Sequence, residues 1–552
     1  MIHKQHNFVS SRYAGWLMFV AAIALSAGTG CSRDADRDNG GDGFAGAMER
    51  IDTEGMTERV IALAADEMQG RAPMTAGETM AVAYLQAAFE AIGLEPAGED
   101  GFLQAVPLVE ITASPDTSME LGGETLRYAD DFVACTRRVA DEVSLQQSEL
   151  VFIGYGINAP EYDWNDYAGM DWAGKTAVVL INDPGFATGD PDLFTGRAMT
   201  YYGRWSYKYE EAARQGLDGL LIVHETAPAA YGWDVVRNGN VGPQLDLATD
   251  NDGADRIAIE GWIQQPVAER LFARAGLDFA EMKQAALDPE FLPVSLEQRV
   301  NIEIRNTIRK QSSYNVLGKL TGSTRPDEYV VYSAHWDHLG MDPELEGDQI
   351  YNGAADNASG VAALLEIAEA FTALKKPPER SLLFAAVTAE EALLLGSLYM
   401  AQNPPVPNRD LVAVLNMDVM LHNGPEPETT LLGLSQSELG NLARAAAARQ
   451  GRTARPHPSP ESGYFYRSDH FSLARYGVPG LSFLNAGPAD SVYVREHYHK
   501  PSDEYRDDWD LEGAVQDARL YFDLGYGLAN SDAFPAWSET SEFRAIREAD
   551  GR

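Results

Sequence analysis

Cysteine is almost missing from this chain, with only Cys31 and Cys135 in 552 residues, so at most one disulfide is available to it. Positive charge is also scarce. Lys and Arg number 43 against 83 Asp and Glu, a net charge of −40. Such a surface repels a phosphate backbone, which excludes nucleic acid as a partner, and it reads as a well-solvated exterior. No self-similar period is present, so solenoid and array folds are excluded. The apolar run at residues 16–27 (WLMFVAAIALSA) is too short to span a bilayer comfortably. What remains is a chain long enough for two packed units.

Residues 16–27 follow Lys4 and Arg12 and read as the apolar part of an export leader. The run ends in Gly28-Thr29-Gly30-Cys31, which resembles a lipoprotein processing box. Gly28 stands where such a box usually carries Leu, so ordinary signal cleavage or a signal anchor stay open as alternatives. The resemblance implies that residues 1–31 are a signal peptide ending at a lipidated Cys31. Ser32, which is not Asp, then implies an exported outer-membrane lipoprotein of the bacterial envelope, anchored to the membrane. Lipidation would leave Cys135 without a partner, so stability would come from packing and metal. Residues 32–46, polar and Gly-rich, are expected to be a flexible linker, with folding starting near Met48.

From Met56 to Leu94 apolar residues recur at helical spacing, predicting two helices separated by the turn-like GRAPMTAGE. Beyond Val109 short β-like runs take over (LVFIGYGI, KTAVVLIND, GLLIVHE, AIEGWI), with helical spacing expected only around Tyr207 to Gln215. After Asn306 strands and helices alternate, which predicts an α/β unit with a mixed sheet.

The chemistry-bearing residues fall in that last unit. His335 ends the run EYVVYSAH, with Asp337 two positions later; Asp356 sits in a turn before a helix running from Ala358 to Leu374. Glu390 and Glu391 follow SLLFAAVT and are expected to open a helix; Asp418 closes LVAVLNMD; His499 lies in a Pro-containing loop. Each alone has a structural explanation. Together they do not, because the carboxyl edges of strands in an α/β sheet gather at one crevice. Two imidazoles and three carboxylates there form the N/O donor set that zinc accepts, and an Asp between two metals supplies one oxygen to each.

In this order, H-x-D, G-A-x-D-N-A-S-G, E-E, N-M-D and Y-H resemble the di-zinc aminopeptidase family, which also holds glutamate carboxypeptidase, transferrin receptor and glutaminyl cyclase. The intervening stretch YGINAPEYDWNDYAGMDWAGKTAVVLINDPG resembles a protease-associated domain. The resemblance implies an α/β zinc-exopeptidase core with a mixed sheet, residues 47–115 and 305–530. A β-rich protease-associated insert at 116–304 and a C-terminal tail at 531–552 complete the expected organisation. It further implies two Zn²⁺ per chain: His335 and Asp418 on one, Glu391 and His499 on the other, and Asp356 bridging. Glu390 would be the general base and Asp337 would steady His335; Ser468-Asp469-His470 would line the site. Ala392 departs from the Gly that often follows the paired Glu and shifts the expected helix start. Peptides are the implied substrate, most directly at a free amino end, with carboxypeptidase or dipeptidase action and a non-catalytic binding protein as alternatives. His338, His497 and Asp503 flank these motifs without an assignable role, and Arg467 and Tyr505 are expected in the substrate cleft.

Overall fold

The computed structural model describes residues 43–420, 422–484 and 491–551. The leader, Cys31 and most of the expected linker lie outside the described residues. No helix among those described is long and apolar enough to cross a membrane. Packing starts earlier than expected, with a helix at Phe44–Met48 whose Phe44 ring stacks on Phe522 at 5.3 Å. An aromatic pair of that kind anchors a segment that polarity alone marks as linker.

One strand organises the molecule. Val294–Leu320 runs for 27 residues and changes partners along its length. Its first part pairs antiparallel with Glu142–Phe152 up to Arg305↔Glu142; from Asn306↔Ala113 onward it pairs with Leu103–Ala113, and its last residues pair with Arg380–Val387. The first part belongs to a layer that also contains Lys175–Leu180, Gly219–His224, Ile259–Gln264 and Phe132–Cys135. These carry the apolar runs read from the sequence. Helices at Trp205–Gln215, Gln265–Arg274 and Phe279–Ala285 belong to the same part of the chain, so helical structure is not confined to Tyr207–Gln215. Val267, Ala268, Leu271 and Phe272 bury one face of the second of these, a helical periodicity over only ten residues. Pro243–Leu247 crosses over to pair with Leu103–Ala113, tying this part to the other sheet.

In that other sheet four strands lie parallel in the order Arg380–Val387, Arg325–His335, Leu411–Asn416 and Gly480–Phe483, flanked by antiparallel neighbours. Parallel strands buried on both faces read as continuous apolar runs, and Arg380–Val387 is buried along its whole length. One face is covered by Ser359–Thr372, which packs on Thr53–Leu63 and Glu512–Ala529. Val361, Leu364, Leu365, Ile367 and Phe371 are all buried there, each worth roughly 1.5–3 kcal/mol against exposure. Residues 531–551 pack on the core. Trp537, Phe543 and Arg547 are buried, and Trp537 donates its Nε1–H to the Gly477 carbonyl at 2.9 Å.

Candidate metal centre

Because the four central strands are parallel, their carboxyl ends open on one crevice. His335 is the last residue of its strand, Glu390 and Glu391 lie three and four residues beyond Val387, and Asp418 two beyond Asn416. The expected helix at the Glu pair begins later, at Leu395, because Ala389, Leu393 and Leu394 adopt left-handed φ of 52°, 71° and 62°. That turn, rather than a helix start, presents both carboxylates to the crevice. Asp356 reaches it from a loop held by close backbone approaches. At Gly353, with φ of 57°, a Cβ would lie 2.2 Å from the Asp356 carbonyl oxygen; at Gly360 it would lie 2.6 Å from that of Met417.

The ligand atoms converge. His335 Nε2 lies 3.3 Å from Asp356 Oδ1 and 3.5 Å from Asp418 Oδ1; His499 Nε2 lies 3.3 Å from Asp356 Oδ2 and 3.1 Å from Glu391 Oε2. The two carboxylate oxygens of Asp356 thus face different imidazoles. Both Nε2 atoms are buried without a hydrogen-bond partner. Glu390 Oε2 stands farther off, 4.0 Å from His335 Nε2. Four carboxylates around two imidazoles repel one another unless cations sit among them, and orphaned imidazole nitrogens facing carboxylate oxygens are what metal ligation would satisfy. The residues fit zinc. Two triads have the right spacing, His335–Asp356–Glu391 and His335–Glu390–Asp418.

A layer of supporting contacts fixes these groups, and much of it was not legible in the motifs. Asp337 contacts both His335 and the backbone of the paired glutamates. Its carboxylate accepts the backbone N–H groups of Glu390 at 3.1 Å and Glu391 at 3.4 Å, while His335 Nδ1 lies 3.2 Å from its main-chain carbonyl and 3.8 Å from its carboxylate. Asp503 accepts the N–H of Ala355 and of Asp356, both at 3.0 Å. His338 Nδ1 is 2.6 Å from Glu391 Oε1, and Ser468 donates to Asp418 Oδ2 at 2.7 Å. Of the three flanking residues without an assigned role, His338 and Asp503 therefore touch the centre, while His497 contacts Ser502 instead. Ser468 lines the cavity while Asp469 and His470 are buried away from it, and His470 packs edge-on against Phe465. Its burial holds its pKa down to about 3.

Arg71 was missed altogether. It is buried, and its guanidinium donates to the carbonyls of Trp336, Leu63, Asn352 and Gly353 at 2.6–2.9 Å, clamping the loops that carry His335 and Asp356. Burial lowers its pKa to about 10 against the pull of Asp337, Asp503, Asp356 and Glu391. Burial raises Asp337 to about 7, and raises Glu390 well above the usual carboxylate range with help from Asp418 and Glu391. Glu391 goes the other way: burial pushes it up, but His499 and His338 draw it down to about 2. The two adjacent glutamates are electrostatically distinct.

The centre opens into a cavity of about 340 Å³ that is also lined by residues from the middle of the chain, including Arg204, Tyr209 and Glu260. Arg467 lines it as expected. Tyr505 does not; its ring packs edge-on against Trp509 at 5.6 Å.

Residues 315–522 match the model of Peptidase family M28. A probable zinc metalloprotease of Pyrenophora teres f. teres (strain 0-1) is 36% identical over 116 residues, 21% of this chain and 24% of its own. Aminopeptidase NAALADL1 of Mus musculus is 36% identical over 204 residues, 35% of this chain and 25% of its own. The chain thus spans about a quarter of the length of these curated relatives. A solved aminopeptidase from Aneurinibacillus sp. strain AM-1 shares the fold, with a TM-score of 0.52 at 19% identity over 90% of this chain and 97% of its own. His335, Asp356, Glu390, Glu391, Asp418 and His499 all fall within the residues that match the Peptidase family M28 model, and the α/β core with its mixed sheet shares the fold of the solved aminopeptidase.

Proposed function

We propose that this chain is a di-zinc exopeptidase that removes amino-terminal residues from peptides. The observation that carries the reading is Asp356, whose two oxygens each lie 3.3 Å from a different orphaned imidazole nitrogen, so one side chain serves two metal positions. His335 and Asp418 would hold one zinc and His499 and Glu391 the other. Zinc bound there supplies Lewis acidity toward water and toward the scissile carbonyl oxygen. Glu390, lining the cavity and not held by either imidazole, accepts the proton that the attacking water loses and returns it to the leaving nitrogen. A carboxylate with a raised affinity for protons suits that shuttle. Asp337 and Asp503 hold the backbone on which the glutamates and Asp356 are mounted.

Residues 47–115 and 305–530 form the catalytic unit in this reading, and residues 116–304 are a protease-associated insert that shapes the substrate cavity. Residues 1–31 are a lipoprotein signal that anchors the protein to the outer membrane of a bacterial envelope. The resemblances in sequence support both statements. The function is tested with zinc-loaded protein on matched peptides, free or acetylated at the amino end and free or amidated at the carboxyl end. Cleavage that needs the free amine and is abolished by chelation is expected; equal turnover of acetylated and free peptides refutes the aminopeptidase reading. A requirement for the free carboxylate would instead make the protein a carboxypeptidase or dipeptidase.

A further inference from the structure

Five arginines line the cavity beside the metal centre, although acidic residues outnumber basic ones 83 to 43. Three have a carboxylate of their own: Arg137 with Glu260 at 3.7 Å, Arg256 with Asp246 at 3.8 Å and Arg475 with Glu210 at 3.1 Å. The other two do not. Arg204 is only 9% exposed, forms no ion pair or side-chain hydrogen bond among the described residues, and leaves its Nε buried without a partner. Arg467 likewise has no carboxylate partner among them; its guanidinium lies over the rings of Tyr231 and Tyr464, at 5.4 and 5.0 Å. Burial, and then the neighbouring Arg467 cation, lower the Arg204 pKa to about 10. Two neighbouring cations left unpaired in so acidic a chain cost stability, and a ligand anion would offset that cost.

We infer that Arg204 and Arg467 bind a carboxylate of the substrate, so that the peptides taken by this site carry a negative charge inside the cavity. The inference rests on the peptidase reading above and names its substrate class. Guanidinium forks match carboxylates in a bidentate way, and the Tyr231 and Tyr464 rings hold that of Arg467 in place beforehand. Arg204 comes from the insert and Arg467 from the catalytic unit, so one bound carboxylate would join the two walls. It can come from an acidic side chain or from the carboxyl end of a short peptide. The acids nearby do not compete, since Glu210, Glu260 and Asp246 are taken by their own arginines.

The test compares Glu-Ala-amide and Gln-Ala, which carry one carboxylate each in the two positions, with Gln-Ala-amide, which carries none. Zinc-loaded wild type, Arg204→Gln and Arg467→Gln are assayed side by side. At least one carboxylate-bearing peptide is expected to exceed Gln-Ala-amide in kcat/KM by about 10- to 100-fold, the scale of a charge-assisted hydrogen bond, and the ratio should collapse in both variants. Which of the two wins assigns the carboxylate. Equal kcat/KM for all three peptides in the wild type, or a ratio unchanged in both variants, overturns the inference and leaves the peptidase reading standing. If no peptide is cleaved, the peptidase reading fails, and calorimetry with glutarate on the same proteins still decides the anion site. Binding weakened about tenfold or more in either variant supports it; equal affinity in all three proteins overturns it.

Discussion

Glu390 and Glu391 are neighbours in sequence, yet the proposed function gives them different work, and single substitutions should separate it. Glu391 Oε2 lies 3.1 Å from His499 Nε2 and its Oε1 2.6 Å from His338 Nδ1, so both oxygens are committed. The Glu390 backbone is held, its N–H by Asp337 at 3.1 Å and its carbonyl by the Leu394 N–H at 2.9 Å, but its carboxylate stays 4.0 Å from His335 Nε2 and lines the cavity. Glu390→Gln keeps the shape and removes the proton acceptor. Loss of a general base costs about 10²–10⁴ in turnover, or roughly 3–5 kcal/mol of transition-state stabilisation, with zinc content unchanged. Glu391→Ala removes a ligand and leaves His338 Nδ1 unpaired. Removing a residue that merely orients a ligand weakens metal binding about 10–100-fold, and removing the ligand itself should do at least as much. At fixed free zinc a 100-fold weaker site forfeits up to about 2.7 kcal/mol of metal-linked stability, so this variant should also melt earlier. Elemental analysis, kcat/KM and a thermal melt on the same preparations decide the matter. The triad His335–Glu390–Asp418 gives the rival outcome a concrete form, since a ligating Glu390 would carry zinc away with it. Zinc lost from Glu390→Gln, or fully kept in Glu391→Ala, would refute the assignment.

Asp503→Asn should weaken zinc binding about 10–100-fold while the Arg204 side of the cavity stays intact, because an amide cannot accept both the Ala355 and Asp356 N–H groups; unchanged zinc affinity by competition with a chelator would contradict this. The two cysteines should behave oppositely. Wild-type protein should incorporate fatty acid and Cys31→Ala should not, whereas Cys135 should resist alkylation in the native state. Burial, with Glu260 and Asp246 adding to it, raises the Cys135 pKa to about 12, so at pH 8 only about one thiol in 10⁴ is ionised. Persistent lipid labelling of Cys31→Ala, or fast alkylation of native Cys135 at pH 8, would count against these readings.

How much of the fold was legible depended on the range of the interactions that determine it. Arg380–Val387 and Leu411–Asn416 are buried on both faces, so their apolar runs announce them locally, and the acidic residues just beyond them mark the crevice. The start of the helix at Leu395 was hidden. It depends on three left-handed residues, and Leu393 and Leu394 have side chains that give no local sign of it. Phe44–Met48 was hidden by its own brevity and polar surroundings, since the rings it packs on, Phe522 and Tyr526, lie far along the chain.

The same distinction runs through the site. Its ligands are legible because each occupies a strand end or a turn next to a helix, positions that topology alone brings together. Arg71 is not, because its bonds to Trp336, Asn352 and Gly353 span 265 to 282 residues and nothing in GRAPMTAGE implies them. Its φ of 51° is a conformation that a non-glycine residue keeps only when its surroundings hold it, and four carbonyls do so here. The clamp joins the opening helical layer to the loops of His335 and Asp356, so folding of residues near the amino end is a condition for assembling the metal centre. The cavity follows the same rule. His335, Glu390, Glu391 and Asp418 lie at or just beyond the ends of the parallel strands, positions that a sequence pattern reveals, whereas Arg204 reaches the same cavity from a distant part of the chain that no local pattern connects to them.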